Sequence, residues 1–272
     1  MADVFSYDRQ NSLLRELHKN RLARLCDRSR TVEITVSGST MPTEINVIER
    51  VGEELGTMLW YEGAISLCRV LTNEIGLHDH NGGSISGRSN AFEFPLCDAV
   101  FVELGAGVGL CGMFLAKRLD SLHGLSSTQV FLTDQAKVLQ NLTKNVELNF
   151  PSNQPTITAL TWGGEAAKSF QNDLLRCFRS TNLMDDGRRT ILFGSECVYD
   201  PETMPALVET LKVLRPEAVY LSFGRRRAEA EILFFQLLES SNYFDVRQVS
   251  CLSCDEDEDY PKVVALIPKN KT

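Results

Sequence analysis

Gly105, Gly107 and Gly109 separate two apolar runs, Ala99–Leu104 and Leu110–Leu119. Glycine at such a junction lets the backbone turn sharply and pass close to a bound ligand, because a side chain there would collide with it. The first run predicts a buried strand, with Asp98 at its entry and Glu103 near its end, and the second predicts a helix. The spacing is G-x-G-x-G. The dinucleotide pattern is G-x-G-x-x-G, and counted from Gly105 it is Leu110 that takes the place of its third glycine. The loop therefore suits a nucleoside that carries no pyrophosphate.

Three more groups are expected at the carboxyl ends of strands, where open α/β sheets bind their ligands. Asp134 closes Phe131-Leu-Thr-Asp134, and a carboxylate there can accept both hydroxyls of a ribose. It lies farther beyond Gly105 than the roughly 20 residues usual for such an acid, and the linker Ser121–Gln129, with Gly124 and its serines, absorbs the excess. Its alternative duty is to cap a helix beginning at Gln135. Trp162, in Ala159-Leu-Thr-Trp-Gly163, can flank an adenine face or simply fill the core. Ile191–Tyr199 brings Ser195, Glu196 and Tyr199 to face the reacting group, with capping of the helix after Pro201 as the alternative role for Glu196. This segment lacks the Asn/Asp-Pro-Pro-aromatic motif used to methylate base or glutamine amide nitrogens, which argues against those substrates. Among nucleosides without a pyrophosphate, S-adenosylmethionine is the commonest cofactor.

The elements that must hold these groups alternate. Strands are expected at Ala99–Leu104, Gln129–Thr133, Thr156–Leu160, Thr190–Phe193 and Ala218–Phe223, and helices at Leu110–Leu119, Gln135–Asn149, Ala166–Arg179, Thr203–Leu214 and Arg226–Ser241. That alternation predicts a doubly wound α/β domain with a mostly parallel sheet. Two last strands, Phe244–Cys251 and Lys262–Ile267, are too close in sequence for a helical crossover, so they should pair antiparallel. A parallel sheet closed by an antiparallel hairpin marks class I methyltransferases rather than dehydrogenases. Before this domain, residues 57–272, stands an arm, residues 1–56: an amphipathic helix over Asp8–Asp27, then strands Thr31–Val36 and Glu44–Val51. Leu59–Glu74 has helical periodicity, and His78–Asn90 reads as a polar loop whose His78 and His80 are solvated rather than ligating.

With 272 residues the chain can bury a sizeable core, and a formal charge of −8 argues against a nucleic-acid partner. No run approaches the roughly 20 apolar residues of a membrane span, and Met1–Asp8 shows no secretory signal. Arg15–Arg30 is basic but interrupted by acids, which leaves a transit peptide as a minor alternative. Eight scattered cysteines read as free thiols of a cytoplasmic protein, with the nucleus as a second compartment. Cys251-Leu-Ser-Cys254 has no second ligand pair, so no metal is expected. Arg225–Arg227 reads as a solvated basic turn or a recognition site for an acidic partner, and Asp255–Asp259 as a solvated turn. The expected assembly is a monomer.

Taken in order, these motifs resemble the seven-strand protein-lysine methyltransferases, the methyltransferase-like group that modifies chaperones and translation factors. The resemblance is carried by Gly56-Thr-Met-Leu-Trp60, Val102–Gly109, Leu132-Thr-Asp134, Asn145-Val-Glu-Leu-Asn149, Leu160-Thr-Trp-Gly163, Gly194–Tyr199 and Tyr220–Arg227 with Phe234-Phe235. It implies a seven-strand, Rossmann-like class I fold. It implies that Trp60 and Glu103 contact the cofactor, that Gly105, Ala106 and Gly107 line its methionine end, and that Asp134 holds the ribose. Trp162 would lie on the adenine, and Ser195 would contribute its backbone. Catalysis in the group is attributed to an Asp-x-x-Tyr motif; here Glu196 stands in the acid's place, one methylene longer, with Tyr199 in register.

The implied reaction is in-line displacement at a sulfonium methyl, in which the protein chiefly positions the partners. A lysine acceptor must arrive neutral, against a free pKa of about 10.4, and desolvation lowers it. Glu196 and Tyr199 would orient the amine. An arginine acceptor on the same scaffold, and a cofactor-binding protein without catalysis, are the competing readings.

Overall fold

The computed structural model describes residues 26–36, 39, 41–51, 56–77, 96–124, 126–179, 189–224, 228–249 and 261–269. The expected helix over Asp8–Asp27, the His78–Asn90 loop, Arg225–Arg227, Asp255–Asp259 and the Cys251/Cys254 pair lie outside them, except that Cys26 and Asp27, expected to end that helix, are paired strand instead.

Among the described residues the elements run β1 (Cys26–Ile34), β2 (Thr43–Val51), α1 (Tyr61–Ile75), β3 (Ala99–Leu104), α2 (Leu110–His123), β4 (Val130–Asp134), α3 (Leu139–Asn149), β5 (Thr156–Ala159), α4 (Gly164–Arg179), β6 (Arg189–Ser195), α5 (Met204–Leu214), β7 (Ala218–Phe223), α6 (Ala228–Ser241), β8 (Phe244–Val249) and β9 (Lys262–Pro268). Strands β3 to β9 form one sheet in the order β5-β4-β3-β6-β7-β9-β8. Its pairs are parallel except those of β9, which runs antiparallel to both β7 and β8. The antiparallel hairpin expected at the end is present, and its second strand inserts between β7 and the first. This is the class I methyltransferase arrangement.

The central strands β3 and β7 are buried along their whole length, as parallel strands covered on both faces must be. Alternate residues face opposite layers. Phe101, Ile191, Phe193 and Tyr220 join the core beneath α1 and α2, while Val100, Val102, Leu192, Val219 and Leu221 join the one beneath α4, α5 and α6. The strand order reverses between β3 and β6, so the chain leaves their carboxyl ends in opposite directions. A crevice opens there.

The β1–β2 hairpin is a sheet of its own, and asparagines on α3 bind it. Asn149 Oδ1 accepts from the Asn46 N–H (2.8 Å) while its Nδ2 donates to the Asn46 carbonyl (2.6 Å). One turn earlier, Asn145 Oδ1 accepts from the Ile48 N–H (2.7 Å) and its Nδ2 donates to the Ile48 carbonyl (3.2 Å). Helical i, i+4 spacing thus meets strand i, i+2 spacing, and side-chain amides stand in for a neighbouring strand. Asn145 Nδ2 also donates to the Val108 carbonyl (3.0 Å), tying the hairpin to the glycine loop.

One boundary differs in a way that matters. The helix expected from Gln135 begins at Leu139. Residues 136–138 form a turn, with the Val138 N–H donating to the Gln135 carbonyl (2.9 Å), which sends Val138 into the core. Helix α1 is anchored at its far end: Tyr220 donates to Glu74 Oε2 (3.3 Å), and Arg247 of β8 donates to the same oxygen (2.6 Å).

Candidate active site

A cavity of about 530 Å3 occupies the crevice at the β3/β6 reversal, within the size range of small-molecule sites. Every residue expected at the site borders it. Trp60 enters from the start of α1, Glu103, Gly105, Ala106 and Gly107 from the end of β3, and Asp134 from the end of β4. Trp162 enters after β5, and Ser195, Glu196 and Tyr199 from the end of β6.

The glycine loop is held by backbone groups. The Ala106 N–H donates to the Thr133 carbonyl (2.9 Å) and the Gly109 N–H to the Ala106 carbonyl (2.7 Å). Gly107 has φ 57°, and a Cβ there would stand 3.0 Å from the Gly56 carbonyl oxygen. A side chain would thus be strained in backbone and crowded by the turn before Trp60. Cys111, in the first turn of α2, is buried with its thiol 3.5 Å from the Ala64 carbonyl of α1. Leu110, where a third glycine would fall counting from Gly105, is buried as well.

Asp134 accepts from the Gly107 N–H through Oδ2 (2.8 Å) and from the Gln135 N–H through Oδ1 (2.7 Å). It caps no helix, since α3 begins beyond it at Leu139. Burial raises its pKa, and the two N–H groups partly offset that. Trp162 is half-buried against the second core, and a Cβ on Gly105 would stand 3.3 Å from its ring. Its indole thus forms a wall beside the loop as well as packing below. Trp60 keeps 48% of its surface exposed at the cavity mouth.

Among the described residues Glu103 is the carboxyl whose pKa is most perturbed. It is buried behind the loop and accepts from the Gly112 N–H (3.0 Å). Burial pushes its pKa up to about 8, with the Asp134 charge adding to the rise and the N–H opposing it.

At the other lip, Glu196 has left-handed backbone, φ 60°, which an acidic residue adopts only where its surroundings enforce it. Its N–H donates to the Ser222 carbonyl (2.7 Å), and its Oε2 accepts from the Gly224 N–H (3.3 Å). The capping alternative for Glu196 does not hold. Asp200 caps the turn at Pro201–Thr203, accepting from the Glu202 N–H (3.2 Å). Ser195 Oγ accepts from Ser222 Oγ (3.1 Å), and the Cys197 thiol donates to the Leu104 carbonyl (3.0 Å), which joins the two lips. Tyr199 is half-buried and its phenol pKa is raised, first by burial and then by neighbouring acids.

The structure adds cavity residues that were not expected at the site. Gly56, Met58 and Lys137 border it, as do Thr203 and Ala206. Gly56 and Met58 carried a signal in the Gly56–Trp60 motif; Lys137, Thr203 and Ala206 come from turns and a helix whose approach is tertiary.

The family model for lysine methyltransferases matches residues 40–241. The chain belongs to the lysine methyltransferase family. Relatives of this enzyme family include protein N-lysine methyltransferase METTL21A of Danio rerio, 32% identical over 54% of this chain and 58% of its own length. They also include EEF1A lysine methyltransferase 3 of Xenopus tropicalis, 27% identical over 71% of this chain and 70% of its own. Protein-lysine N-methyltransferase EFM6 of Saccharomyces cerevisiae is 23% identical over 81% of this chain and 83% of its own. The alignment thus spans less than two thirds of the METTL21A relative. The chemistry of the family is transfer of a methyl group from S-adenosylmethionine to a lysine side chain of a protein, and membership favours lysine over arginine as the acceptor. Among the described residues no group of three or more His, Cys, Asp or Glu side chains could hold a metal ion, and no helix is long and apolar enough to cross a membrane.

Proposed function

We propose that the two lips of the crevice divide the methyl transfer between them. The residues fit the donor on one observation above others: the loop's close approaches leave a cradle that side chains at Gly105 or Gly107 would fill. S-adenosylmethionine, when bound, supplies a methyl on a sulfonium that is already a good leaving group. Asp134 accepts the ribose hydroxyls, keeping its Gly107 contact as a brace. Trp162 and Trp60 bound the adenine and methionine ends, and Gly105, Ala106, Gly107 and the Ser195 backbone line the rest. Glu103 offers a carboxyl that a cationic ligand would ionise.

Glu196 and Tyr199 orient the acceptor amine. Desolvation in the cavity lowers the lysine pKa toward the neutral, nucleophilic form. The left-handed backbone at Glu196 supports a functional placement, because strain of this kind is retained where the site requires it.

The names of the relatives, among them EEF1A lysine methyltransferase 3, support a protein acceptor, and the family resemblance suggests a translation factor or a chaperone. The free, buried thiols of Cys68, Cys111 and Cys197 support a reducing compartment, the cytoplasm with the nucleus as a second location. The assembly in this reading is a monomer.

The test has two arms. Calorimetry with S-adenosylhomocysteine measures the cradle, and tritiated S-adenosylmethionine with a cell lysate, followed by mass spectrometry of the labelled band, reads the acceptor. Binding together with a protein labelled on lysine is expected. Binding without any labelled protein would move the chain to the scaffold reading, and no binding at millimolar ligand would remove the cradle itself.

A further inference from the structure

We propose that Gly63 is a positioning residue for Glu196. By carrying no side chain it leaves the space into which the longer acid extends its carboxylate. The proposal rests on the reading of Glu196 as the group that orients the amine.

Gly63 is buried in the first turn of α1, just after Trp60. A Cβ placed on it would overlap Oε1 of Glu196 and stand 3.1 Å from Cδ and 3.2 Å from Cγ. Both partners are held. Helix α1 is anchored by the Tyr220–Glu74–Arg247 cluster. The Glu196 backbone is fixed by its left-handed φ and its bond to the Ser222 carbonyl. Its Oε2 accepts from the Gly224 N–H, so the side chain reaches from the end of β6 to the end of β7 across the face of α1. With the backbone pinned, the reach of the carboxylate is the remaining variable, and Gly63 sets what it can reach.

An aspartate at 196 would end one methylene sooner. Its carboxyl carbon would lie near the present Cγ and its oxygens near the present Cδ, distances that a methyl at 63 tolerates with a shift of a few tenths of an ångström. The long acid and the bare helix turn are therefore a matched pair. A methyl at 63 meets the mobile end of a side chain rather than backbone, so it moves the carboxylate instead of unfolding the chain.

The test is a double-mutant cycle of wild type, Gly63→Ala, Glu196→Asp and the double variant. Each is assayed for transfer from tritiated S-adenosylmethionine into protein of one lysate preparation. Gly63→Ala should lower the rate at least about tenfold beside Glu196 and less than about twofold beside aspartate, with S-adenosylhomocysteine affinity unchanged. Equal losses in both backgrounds overturn the pairing. A crystal structure of Gly63→Ala decides the spatial claim without any acceptor: a carboxylate displaced by about 1 Å or more supports it, and one left in place overturns it. Glu196→Ala separates the two ideas. If that variant turns over normally, the catalytic reading of Glu196 fails while the displaced carboxylate still stands.

Discussion

The two lips of the crevice are built by different means. The β3–β4 side is held by backbone. Ala106 bonds to Thr133, Gly107 to Asp134, and Val108 to Asn145, so the loop's shape is set by peptide groups and by carboxylate and amide side chains that brace them. The β6 side depends on the reach of one side chain from a strained residue, with its carboxylate resting over a bare turn of α1. A backbone-built loop tolerates little change in shape and has no side-chain entropy of its own to lose when the ligand binds. A side-chain-built lip can be retuned by a single methylene. The cofactor half and the acceptor half should therefore respond to substitution in separable ways.

The sharpest separation is expected at Glu196. Glu196→Ala should reduce turnover by about 100-fold or more, with S-adenosylhomocysteine affinity within about twofold of wild type, since the residue's backbone bonds do not need its carboxyl. Lost affinity in calorimetry would dissolve the distinction between the lips. Asp134→Ala does the reverse. Losing both the ribose acceptor and the brace on Gly107 should weaken S-adenosylhomocysteine by roughly 2 kcal/mol, about 30-fold; an unchanged titration would show that the acid serves only the loop. Gly107→Ala attacks the same half through backbone. Positive φ and the 3.0 Å approach to the Gly56 oxygen predict about 1–2 kcal/mol of lost stability, read as a lower Tm together with weakened cofactor binding.

The smallest effect concerns pH. The Glu103 carboxyl has an ordinary pKa of 4.5 and one of about 8 when folded, so the fold favours its protonated form. Its stabilising contribution is complete below 4.5 and is lost as pH rises to about 8. Glu103→Gln keeps an acceptor for the Gly112 N–H and removes the titration. Its Tm should match wild type near pH 4.5 and exceed it by a few degrees near pH 8. A gap that stays constant with pH would mean that Glu103 is already ionised in the fold.

Much of this molecule was legible as sequence, and the reasons are local. The β3 run, the glycine turn and the α2 run are signals of periodicity and backbone freedom, which neighbouring residues create by themselves. Asp134, Trp162 and Glu196 could be named because a strand's end is visible in the chain and open α/β sheets place their sites there. The end of the hairpin rule also followed from sequence distance alone, since no crossover helix fits between β8 and β9. The start of α3 was misjudged because Gln135, Ala136 and Lys137 favour helix in isolation, whereas in the fold residues 136–138 form a turn that leaves Val138 buried at the N-cap.

What the sequence determined by itself is therefore the order of elements and the identity of the groups at their carboxyl ends, because both depend on contacts between near neighbours. Only the tertiary structure decided how those groups are held. That Asn145 clasps both the hairpin and the glycine loop, that Glu103 is buried enough to keep its proton near neutral pH, and that Gly63 faces Glu196 all depend on residues far apart in the chain. Distance, burial and overlap between such residues exist only once the sheet has folded, and no local pattern encodes them.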